Sequence, residues 1–376
     1  MLTNKLLTAT RRVRETPFTP RVEAAGVKGY SVYNHMLLPT VFDTPERDYE
    51  HLVSHVQVWD VSCQRQIELI GPDATKLVQL MTPRDLRKTK LLQGKYAPLC
   101  DENGTILNDP IIIKLESDRW WISLADSDIK LWAKGLAFGQ GLNTQVFEAD
   151  VWPLAVQGPK AETLMSRVFG AQVQAIRFFH GKMLRFMDND MLVMRSGWSK
   201  QGGFEIYVND EKLGGQLWDD LFDKGKDLNV GPGCPNLIER IESGLLSFGG
   251  DMGYDTTPFE CGLDQYVSLE ADLESLSIDA LRNRQAKTRL MGIVINHQVK
   301  LKDLRLYSGG RDIGVITSNT WSPKYRAHLA FAKCDINSIA EKQEMHVISS
   351  SGKVPARITE LPFNFESLGL NSLNSK

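Results

Sequence analysis

The sequence predicts an α+β protein in which two similar α+β units are followed by a smaller domain rich in β-strands. Two observations support this prediction. A strand followed by Gly-Pro and an amphipathic helix occurs twice, and beyond about residue 285 short β-rich runs separated by polar turns replace the helical patterns. The 376 residues are enough for two or three domains with sizeable cores.

The repeated unit begins with a strand, QIELI (66–70) in the first copy and PLAVQ (153–157) in the second. After the Gly-Pro, apolar residues recur at the spacing of one helix face, and the proline is expected in the first helical turn. A common β-to-α connection that arose twice by chance is the alternative to two related subdomains. The apolar positions are Ala74, Leu77, Val78 and Met81 in the first copy and Ala161, Leu164, Met165 and Val168 in the second.

The remaining elements follow from the same patterns. IIIKL (111–115) and WWISL (120–124) flank ESDR and predict a hairpin, and RSGWSKQGGFEIYV (195–208) predicts a polar turn that enters a strand. PNLIERIESGLLS (235–247) predicts a helix with proline at its start. The runs GIVI, DIGVITS, HLAFAKCD and EMHVIS predict a small C-terminal barrel or jelly roll.

Composition narrows the class of protein. The 44 lysine and arginine residues nearly balance 46 aspartate and glutamate residues, so the net charge of −2 gives no electrostatic reason to expect nucleic acid or an anionic membrane as partner. No run approaches a membrane span or a signal peptide. Five cysteines without a CxxC pair indicate reduced thiols. We therefore expect a cytoplasmic protein.

The common catalytic motifs are missing from the sequence. There is no dinucleotide or phosphate-binding glycine loop, no HExxH and no GxSxG, and the seven histidines form no set with metal-ligand spacing. We therefore expect no metal and no nicotinamide or flavin cofactor. Any reaction should need few acids and bases from the protein.

Seven segments, in order along nearly the whole chain, resemble the tetrahydrofolate-dependent aminomethyltransferase family, whose type member is the T-protein of the glycine cleavage system. They are VWDVSCQRQIELIGPDA (58–74), GKYAPLCDENGTILNDPIIIKL (94–115), LAVQGPKA (154–161), SGWSKQGGFEIYV (196–208), ERIESGLLSFGGD (239–251), PFECGLDQYVSLE (258–270) and GVITSNTWSP (314–323). Within that family the chain is most similar to the dimethylsulfoniopropionate demethylase branch, through YNHMLLPTVF (33–42), VQLMTPRDL (78–86), WISLADSD (121–128) and TPFECG (257–262).

The resemblance implies a three-domain cloverleaf of the T-protein type around a central folate cavity. By analogy, the two α+β domains interleave in sequence. We expect residues 1–55 and 145–250 in the first, residues 56–144 and 251–284 in the second, and residues 285–376 in the C-terminal β-rich barrel or jelly-roll domain.

The resemblance also implies which residues bind tetrahydrofolate. In the family, the acid of the GFEI motif reads the pterin ring, and Glu205 matches it. A pterin presents N–H donors on its 2-amino group and N3, and one carboxylate accepts both. Gly202 and Gly203 would let the ring approach the backbone. The alternative is an ordinary outward-facing acid on an edge strand. Further candidate folate ligands are Tyr207, Tyr96, Ser123, Phe178 and Trp198.

The chain departs from the T-protein pattern at the acid expected to be catalytic. Asn108 stands at the first of two paired aspartate positions and Asp109 at the second. Cys63 replaces a histidine and Asn236 an arginine, which puts aminomethyl transfer in doubt. No catalytic residue is assigned, although Asn108 and Asp109 are expected near the reacting centre.

A sulfonium methyl donor accounts for the missing acid. Its methyl group is already activated and its leaving group is a neutral thioether, so redox-neutral SN2 transfer to N5 of tetrahydrofolate needs alignment more than acid–base catalysis. The expected products are 5-methyltetrahydrofolate and methylmercaptopropionate. Aromatic faces suit a sulfonium cation. Candidate substrate residues are Tyr33, His35, Trp198 and Trp321.

Other functions stay open on the same fold. An aminomethyltransferase is disfavoured by Asn108, and an O- or N-demethylase would differ only in the substrate pocket. A non-enzymatic folate-binding assembly factor would carry a KGCYxGQE-like segment, whereas LEADLESLSIDAL (269–281) has no cysteine. The expected partners are two small molecules, dimethylsulfoniopropionate and tetrahydrofolate, and a homodimer is left open.

Overall fold

The computed structural model describes residues 12–340, 344–366 and 368–370, so both ends of the predicted domain ranges, 1–11 and 371–376, lie outside the described residues. The strands, in chain order, are β1 (Gly29–Tyr33), β2 (Met36–Val41), β3 (Val56–Asp60), β4 (Gln66–Ile70), β5 (Gln93–Tyr96), β6 (Leu99–Cys100), β7 (Ile106–Asn108), β8 (Ile111–Glu116), β9 (Arg119–Ser123), β10 (Gln145–Glu148), β11 (Trp152–Gln157), β12 (Gly181–Phe186), β13 (Asn189–Met194), β14 (Gly203–Val208), β15 (Val230–Gly233), β16 (Thr288–Ile295), β17 (Leu301–Ser308), β18 (Arg311–Ser322), β19 (Ala327–Asp335), β20 (Met345–Ser349) and β21 (Gly352–Thr359). The helices are α1 (Thr19–Ala24), α2 (Pro45–Ser54), α3 (Ala74–Leu80), α4 (Ile129–Gly139), α5 (Ala161–Phe169), α6 (Glu211–Lys224), α7 (Leu237–Ser243), α8 (Ile278–Arg282) and α9 (Ile336–Ala340).

Two sheets form the α+β part of the molecule. The six-stranded sheet has the order β12-β13-β14-β11-β3-β15, and the five-stranded sheet has the order β10-β4-β9-β8-β5. Apolar residues of α5 and α6, including Leu164 and Leu217, pack with the first sheet, whereas those of α3, including Leu77, pack with the second. Each sheet therefore buries one face beneath its own helices.

The repeated strand–Gly-Pro–helix units adopt the same turn. Gly71 and Gly158 have positive φ angles of 133° and 121°. A Cβ on Gly71 would lie 2.6 Å from the Asn143 carbonyl oxygen, and one on Gly158 would lie 2.4 Å from that of His55, so both positions require glycine. The helices begin three residues after each glycine. Both prolines therefore precede their helix and do not lie in its first turn.

Sheet membership moves two domain boundaries by about five residues. The predicted ranges put Val56–Asp60 in the second α+β domain and Gln145–Glu148 in the first, whereas the sheets hold them the other way round. Gln57–Asp60 pairs with Leu154–Gln157 of β11, and Gln145–Glu148 pairs with Ile67–Ile70 of β4. Each strand lies at the point where the chain passes from one sheet to the other.

The C-terminal strands close into a barrel with the order β16-β19-β18-β17-β20-β21. The four predicted β-rich runs all lie on these strands, and the closed barrel decides between the two predicted forms of this domain. All five cysteines are buried and free. No helix within the described ranges is long and apolar enough to cross a membrane.

Helix α7 is shorter than the predicted range of 235–247. The Asn236 side chain caps it by accepting hydrogen bonds from the backbone N–H groups of Ile238 and Glu239. Gly244, at a φ of 68°, ends it in the left-handed conformation. Leu245, which is inside the predicted range, therefore lies beyond the helix.

The faces of the two sheets that their helices leave uncovered meet each other. Ile113 and Trp121 from the five-stranded sheet form one buried cluster with Leu192, Met194 and Tyr207 from the six-stranded sheet. The ring centroids of Trp121 and Tyr207 are 5.5 Å apart. This contact places Glu205, two residues before Tyr207 on the same strand face, at the interface between the sheets.

Candidate functional site between the two sheets

Glu205 is a buried carboxylate with few partners. It lies on β14 between Ala155 and Met194 of the neighbouring strands and is 7% exposed. The Ser196 hydroxyl donates to Oε2 at 2.5 Å and the Tyr207 hydroxyl lies at 3.5 Å. Burial raises the pKa of Glu205, while hydrogen bonds from these two hydroxyls lower it. Among the described residues no lysine or arginine neutralises it, so the carboxylate retains capacity to accept hydrogen bonds.

The glycines before Glu205 make room for a protein side chain. A Cβ on Gly197 or Gly203 would overlap the Gln157 side-chain amide, at 2.0 and 2.3 Å from its nitrogen. Gln157 in turn donates to the Ser196 carbonyl oxygen at 3.1 Å and accepts from the Ser199 hydroxyl at 2.8 Å. Gly203 therefore makes room for the Gln157 side chain, which holds the turn that carries Ser196. Nothing lies within 4 Å of a Cβ on Gly202.

Two of the predicted folate residues adjoin Glu205. Burial and the charge of Glu205 raise the pKa of Tyr207, whereas a hydrogen bond from Ser123 lowers it. Ser123 also accepts a hydrogen bond from the Gln66 amide nitrogen at 2.9 Å, and the buried Gln66 side-chain oxygen has no partner among the described residues. Sequence reasoning missed Gln66 because its role depends on the pairing of β4 with β9.

A second group of polar residues surrounds Asp109. The Tyr96 hydroxyl donates to Asp109 Oδ2 at 3.1 Å. Burial, assisted by the charge of Asp251, raises the pKa of Asp109 to about 7, although the Tyr96 hydrogen bond opposes this. Tyr33 lies close enough for the charge of Asp109 to add to the effect of burial in raising the pKa of its phenol.

Strand register connects the two groups. Tyr96 pairs with Ile111, Ile111 with Ser123, and Ser123 with Gln66 across the five-stranded sheet. Because directly paired residues lie on the same face of a sheet, this row runs from the Asp109 group to the Glu205 group.

Asn108 has a structural position. It is fully buried, and its amide donates to the Ala125 carbonyl oxygen at 3.0 Å and to the Ser127 hydroxyl at 2.8 Å. Its oxygen accepts from the Ala125 N–H at 3.1 Å. All its hydrogen-bonding groups therefore hold the loop at 125–127. Asp109 therefore supplies the carboxylate that faces the candidate site, whereas the amide of Asn108 faces the loop.

Three other predicted residues lie further away. His35 is exposed, with Nε2 3.7 Å from Asp128 Oδ1 on the outer side of the loop. Phe178 is 62% exposed, stacks on Phe179 and bridges to Arg195, the residue before Ser196. Trp321 lies on β18 beside Ser322, which donates to Glu242. The structure therefore brings none of the three into hydrogen-bonding contact with Glu205 or Asp109.

Trp198 lies next to a buried ion pair where the three domains meet. Its ring is 6.0 Å from the Arg240 guanidinium, which donates to Asp251 at 2.5 Å. Asp251 also accepts from Thr317 and Ser318 of the barrel, at 2.7 and 2.6 Å. Sequence alone did not reveal that Arg240 joins α7 to the barrel, where it donates to the Ser318 hydroxyl at 2.6 Å.

Two α+β sheets with a polar site between them, followed by a closed barrel, define the class of protein. Comparison with known proteins gives its family. Residues 18–271 match the GCVT N-terminal domain, and residues 288–364 match the glycine cleavage T-protein C-terminal barrel domain. The chain therefore belongs to the glycine cleavage T-protein family.

The chain is similar to individual relatives of two kinds, a demethylase and aminomethyltransferases. A dimethylsulfoniopropionate demethylase, DmdA, from Ruegeria pomeroyi is 47% identical over 353 residues, which cover 93% of this chain and 97% of that protein. An aminomethyltransferase from Bacillus mycoides is 27% identical over 337 residues, covering 87% and 91%. The crystal structure of glycine cleavage system aminomethyltransferase T from Bartonella henselae superposes with a TM-score of 0.81 at 23% identity, covering 93% of this chain and 97% of that one, and shows the same fold.

Proposed function

We propose that the chain transfers a methyl group from the sulfonium of dimethylsulfoniopropionate to N5 of tetrahydrofolate. The observation that carries this proposal is the 47% identity, over 93% of the chain, to a dimethylsulfoniopropionate demethylase. The products are methylmercaptopropionate and 5-methyltetrahydrofolate. A bond from N5 to carbon forms, the carbon–sulfur bond breaks with its electron pair on sulfur, and N5 then loses a proton. The reaction therefore needs no oxidant or reductant.

Glu205 suits the pterin end of tetrahydrofolate. In the described part of the chain its buried carboxylate accepts only from two neutral hydroxyls, so it can accept two more N–H groups, as a pterin offers. Tyr207 and Ser123 form the adjoining surface, and the unpartnered oxygen of Gln66 supplies one more acceptor there. These residues orient the ring, which is the main requirement of an alignment-driven transfer.

Asp109 suits the sulfonium end. When ionised, it attracts a cation, and the aromatic side chains of Tyr96 and Tyr33 lie beside it. Its charge favours binding of the sulfonium, and the carboxylate accepts the proton that N5 releases after the transfer. Trp198 and Trp321 are the remaining aromatic candidates for this pocket.

Aminomethyl transfer is the second candidate. Aminomethyltransferases are 27% identical over 87% of the chain, and Asp109 with Tyr96 retains an acid that could protonate a leaving amine. The replacement of an arginine by Asn236 and the lower identity favour the sulfonium substrate.

Product analysis distinguishes these functions. Purified protein is incubated with tetrahydrofolate and dimethylsulfoniopropionate, and the folate products are identified by mass. We expect 5-methyltetrahydrofolate and methylmercaptopropionate in equal amounts, and almost none with Glu205→Gln at subsaturating folate. Folate binding without methyl transfer would leave the folate site in place and direct the search to aminomethyl, O-methyl or N-methyl donors.

Two further expectations are also proposals. The five free thiols fit a reducing compartment, so we place the protein in the cytoplasm. A homodimer is open, and sedimentation of the purified protein decides between it and a monomer.

A further inference from the structure

Two cationic side chains cross between the loop after α3 and strand β5. Arg84 donates from Nη1 to the backbone carbonyl oxygen of Tyr96. Lys95 donates from Nζ to the backbone carbonyl oxygen of Asp85 at 3.1 Å. Each cation thus bonds to the residue next to the other cation, which brings the guanidinium and the ammonium group together. Both side chains are partly buried.

Neither cation has a carboxylate partner in the part of the chain that the structure describes. The nearest acid, Asp85, is occupied by Arg87, which contacts its two oxygens at 3.0 and 2.9 Å. Burial first, and then the charges of Arg84 and Lys88, lower the pKa of Lys95, while Asp85 opposes this. Two unneutralised cations held side by side form a favourable site for an anion.

This pair adjoins the candidate active site. The Arg84 guanidinium lies 5.0 Å from the centroid of the Tyr266 ring. The Tyr266 ring lies 4.8 Å from the ring of Tyr96, whose hydroxyl contacts Asp109. Two aromatic rings therefore separate the cations from the acid that we assign to the sulfonium.

We infer that Arg84 and Lys95 form a carboxylate subsite that binds the glutamate tail of the folate co-substrate. This inference rests on the proposed function. Both substrates carry carboxylates, but only two methylene groups join the sulfonium to the carboxylate of dimethylsulfoniopropionate, too few to pass two rings. Tetrahydrofolate places its glutamate beyond an aminobenzoyl ring, and added glutamates extend its reach and its charge.

Binding titrations with three folates test the subsite. Tetrahydropteroate, which lacks glutamate, tetrahydrofolate and its triglutamate form are titrated into the wild type, Arg84→Gln and Lys95→Gln. We expect each variant to weaken tetrahydrofolate binding about tenfold, to weaken the triglutamate at least as much, and to leave tetrahydropteroate unchanged, since charge-assisted bonds to carboxylate are lost. Arg87→Gln, a charge change in the same loop on an arginine already paired with Asp85, should alter none of the three.

Several outcomes would overturn the inference. Equal weakening of all three folates would mean that the variants disturb the fold of the site, and unchanged affinities would mean that the cations are only solvated. A raised KM for dimethylsulfoniopropionate with unchanged folate binding would assign the pair to the other substrate. Arg84→Lys, which keeps the charge, should retain most of the affinity for tetrahydrofolate. It keeps the test decisive if Arg84→Gln fails to fold. If the wild type bound none of the three folates, the proposed folate function itself would be wrong.

Discussion

The two α+β sheets place a buried glutamate on facing surfaces, yet the two acids have different surroundings. In each sheet, the residue three before the Gly-Pro glycine pairs with the neighbouring strand: Ala155 with Glu205 in one sheet, Glu68 with Trp121 in the other. In the first pair the acid is on the neighbouring strand, as Glu205. In the second pair it is on the strand that leads into the Gly-Pro turn, as Glu68.

The partners of the two acids decide their roles. Arg119 contacts both Glu68 oxygens, at 2.6 and 3.3 Å, and the Trp121 indole N–H donates to Glu68 at 2.8 Å. Within the described ranges, Glu205 contacts only the hydroxyls of Ser196 and Tyr207. A neutralised acid stabilises its sheet, whereas an acid without a cation is available to a ligand that brings its own N–H donors. One repeated scaffold thus holds an acid paired with an arginine in one copy and, among the described residues, an acid without a cationic partner in the other.

The shared turn should give the largest effects. We expect Gly158→Ala and Gly71→Ala each to lower the free energy of unfolding by about 3 kcal/mol or more, because the new Cβ would clash with a backbone carbonyl at a positive φ. Urea denaturation measures this. Gly141→Ala, at a φ of 62° in open space, should cost only about 1 kcal/mol. Equal losses at all three positions would show that the turns are not constrained by close packing.

Removing Arg119, the partner of Glu68, should destabilise the fold without changing the affinity for tetrahydrofolate. We expect Arg119→Met to lower the free energy of unfolding by about 2–3 kcal/mol, because Glu68 is left buried with one indole donor. Arg119→Lys should lose less, since it keeps the charge. Tetrahydrofolate affinity, measured by titration, should stay within twofold of the wild type. A large loss of affinity in Arg119→Met would mean that both acids take part in binding.

Neutralising Glu205 should have the opposite effects, so that folate affinity falls and stability is kept. Glu205→Gln should weaken tetrahydrofolate binding by about 1–3 kcal/mol, the cost of spoiling a charge-assisted pair. Burial raises the folded-state pKa of Glu205, so its contribution to stability is lost as pH rises, and the variant should be at least as stable as the wild type at pH 8. Glu68→Gln is the matched control, with stability lost and affinity kept. Unchanged folate affinity in Glu205→Gln would remove the pterin assignment.

Local patterns predicted the elements, but pairing partners decided the rest. The sequence predicted the Gly-Pro units, the hairpin and the barrel strands because turn residues and apolar spacing act over short distances. The strands 56–60 and 145–148 were placed in the wrong sheets because sheet membership depends on distant partners.

The candidate site was only partly predictable for the same reason. Glu205 was found through the family resemblance, whereas Ser196 and Gln157 matter only once the turn folds back on β11. The sequence also could not show that Asn108 turns its amide to the loop at 125–127, which leaves Asp109 as the acid in the site.

Asp109 should show a smaller, pH-dependent effect. Its pKa rises from the usual 3.8 to about 7, so its contribution to stability is complete below pH 3.8 and is lost as pH rises through 7. We expect Asp109→Asn to be more stable than the wild type at pH 8 and no more stable at pH 4. In denaturation curves, a gain that grew toward low pH would contradict this sign.

The same titration should appear in catalysis, because only ionised Asp109 attracts a sulfonium. Wild-type kcat/KM for dimethylsulfoniopropionate should rise between pH 6 and 8, about the pKa of 7, and Asp109→Asn should give a flat profile. Tyr96→Phe sharpens the test, since the Tyr96 hydrogen bond lowers the pKa of Asp109 and its loss should move the rise to higher pH. Glu205→Gln should lower folate affinity and leave the midpoint in place. A profile that moved with Glu205 and not with Tyr96 would assign the titrating acid to the pterin end.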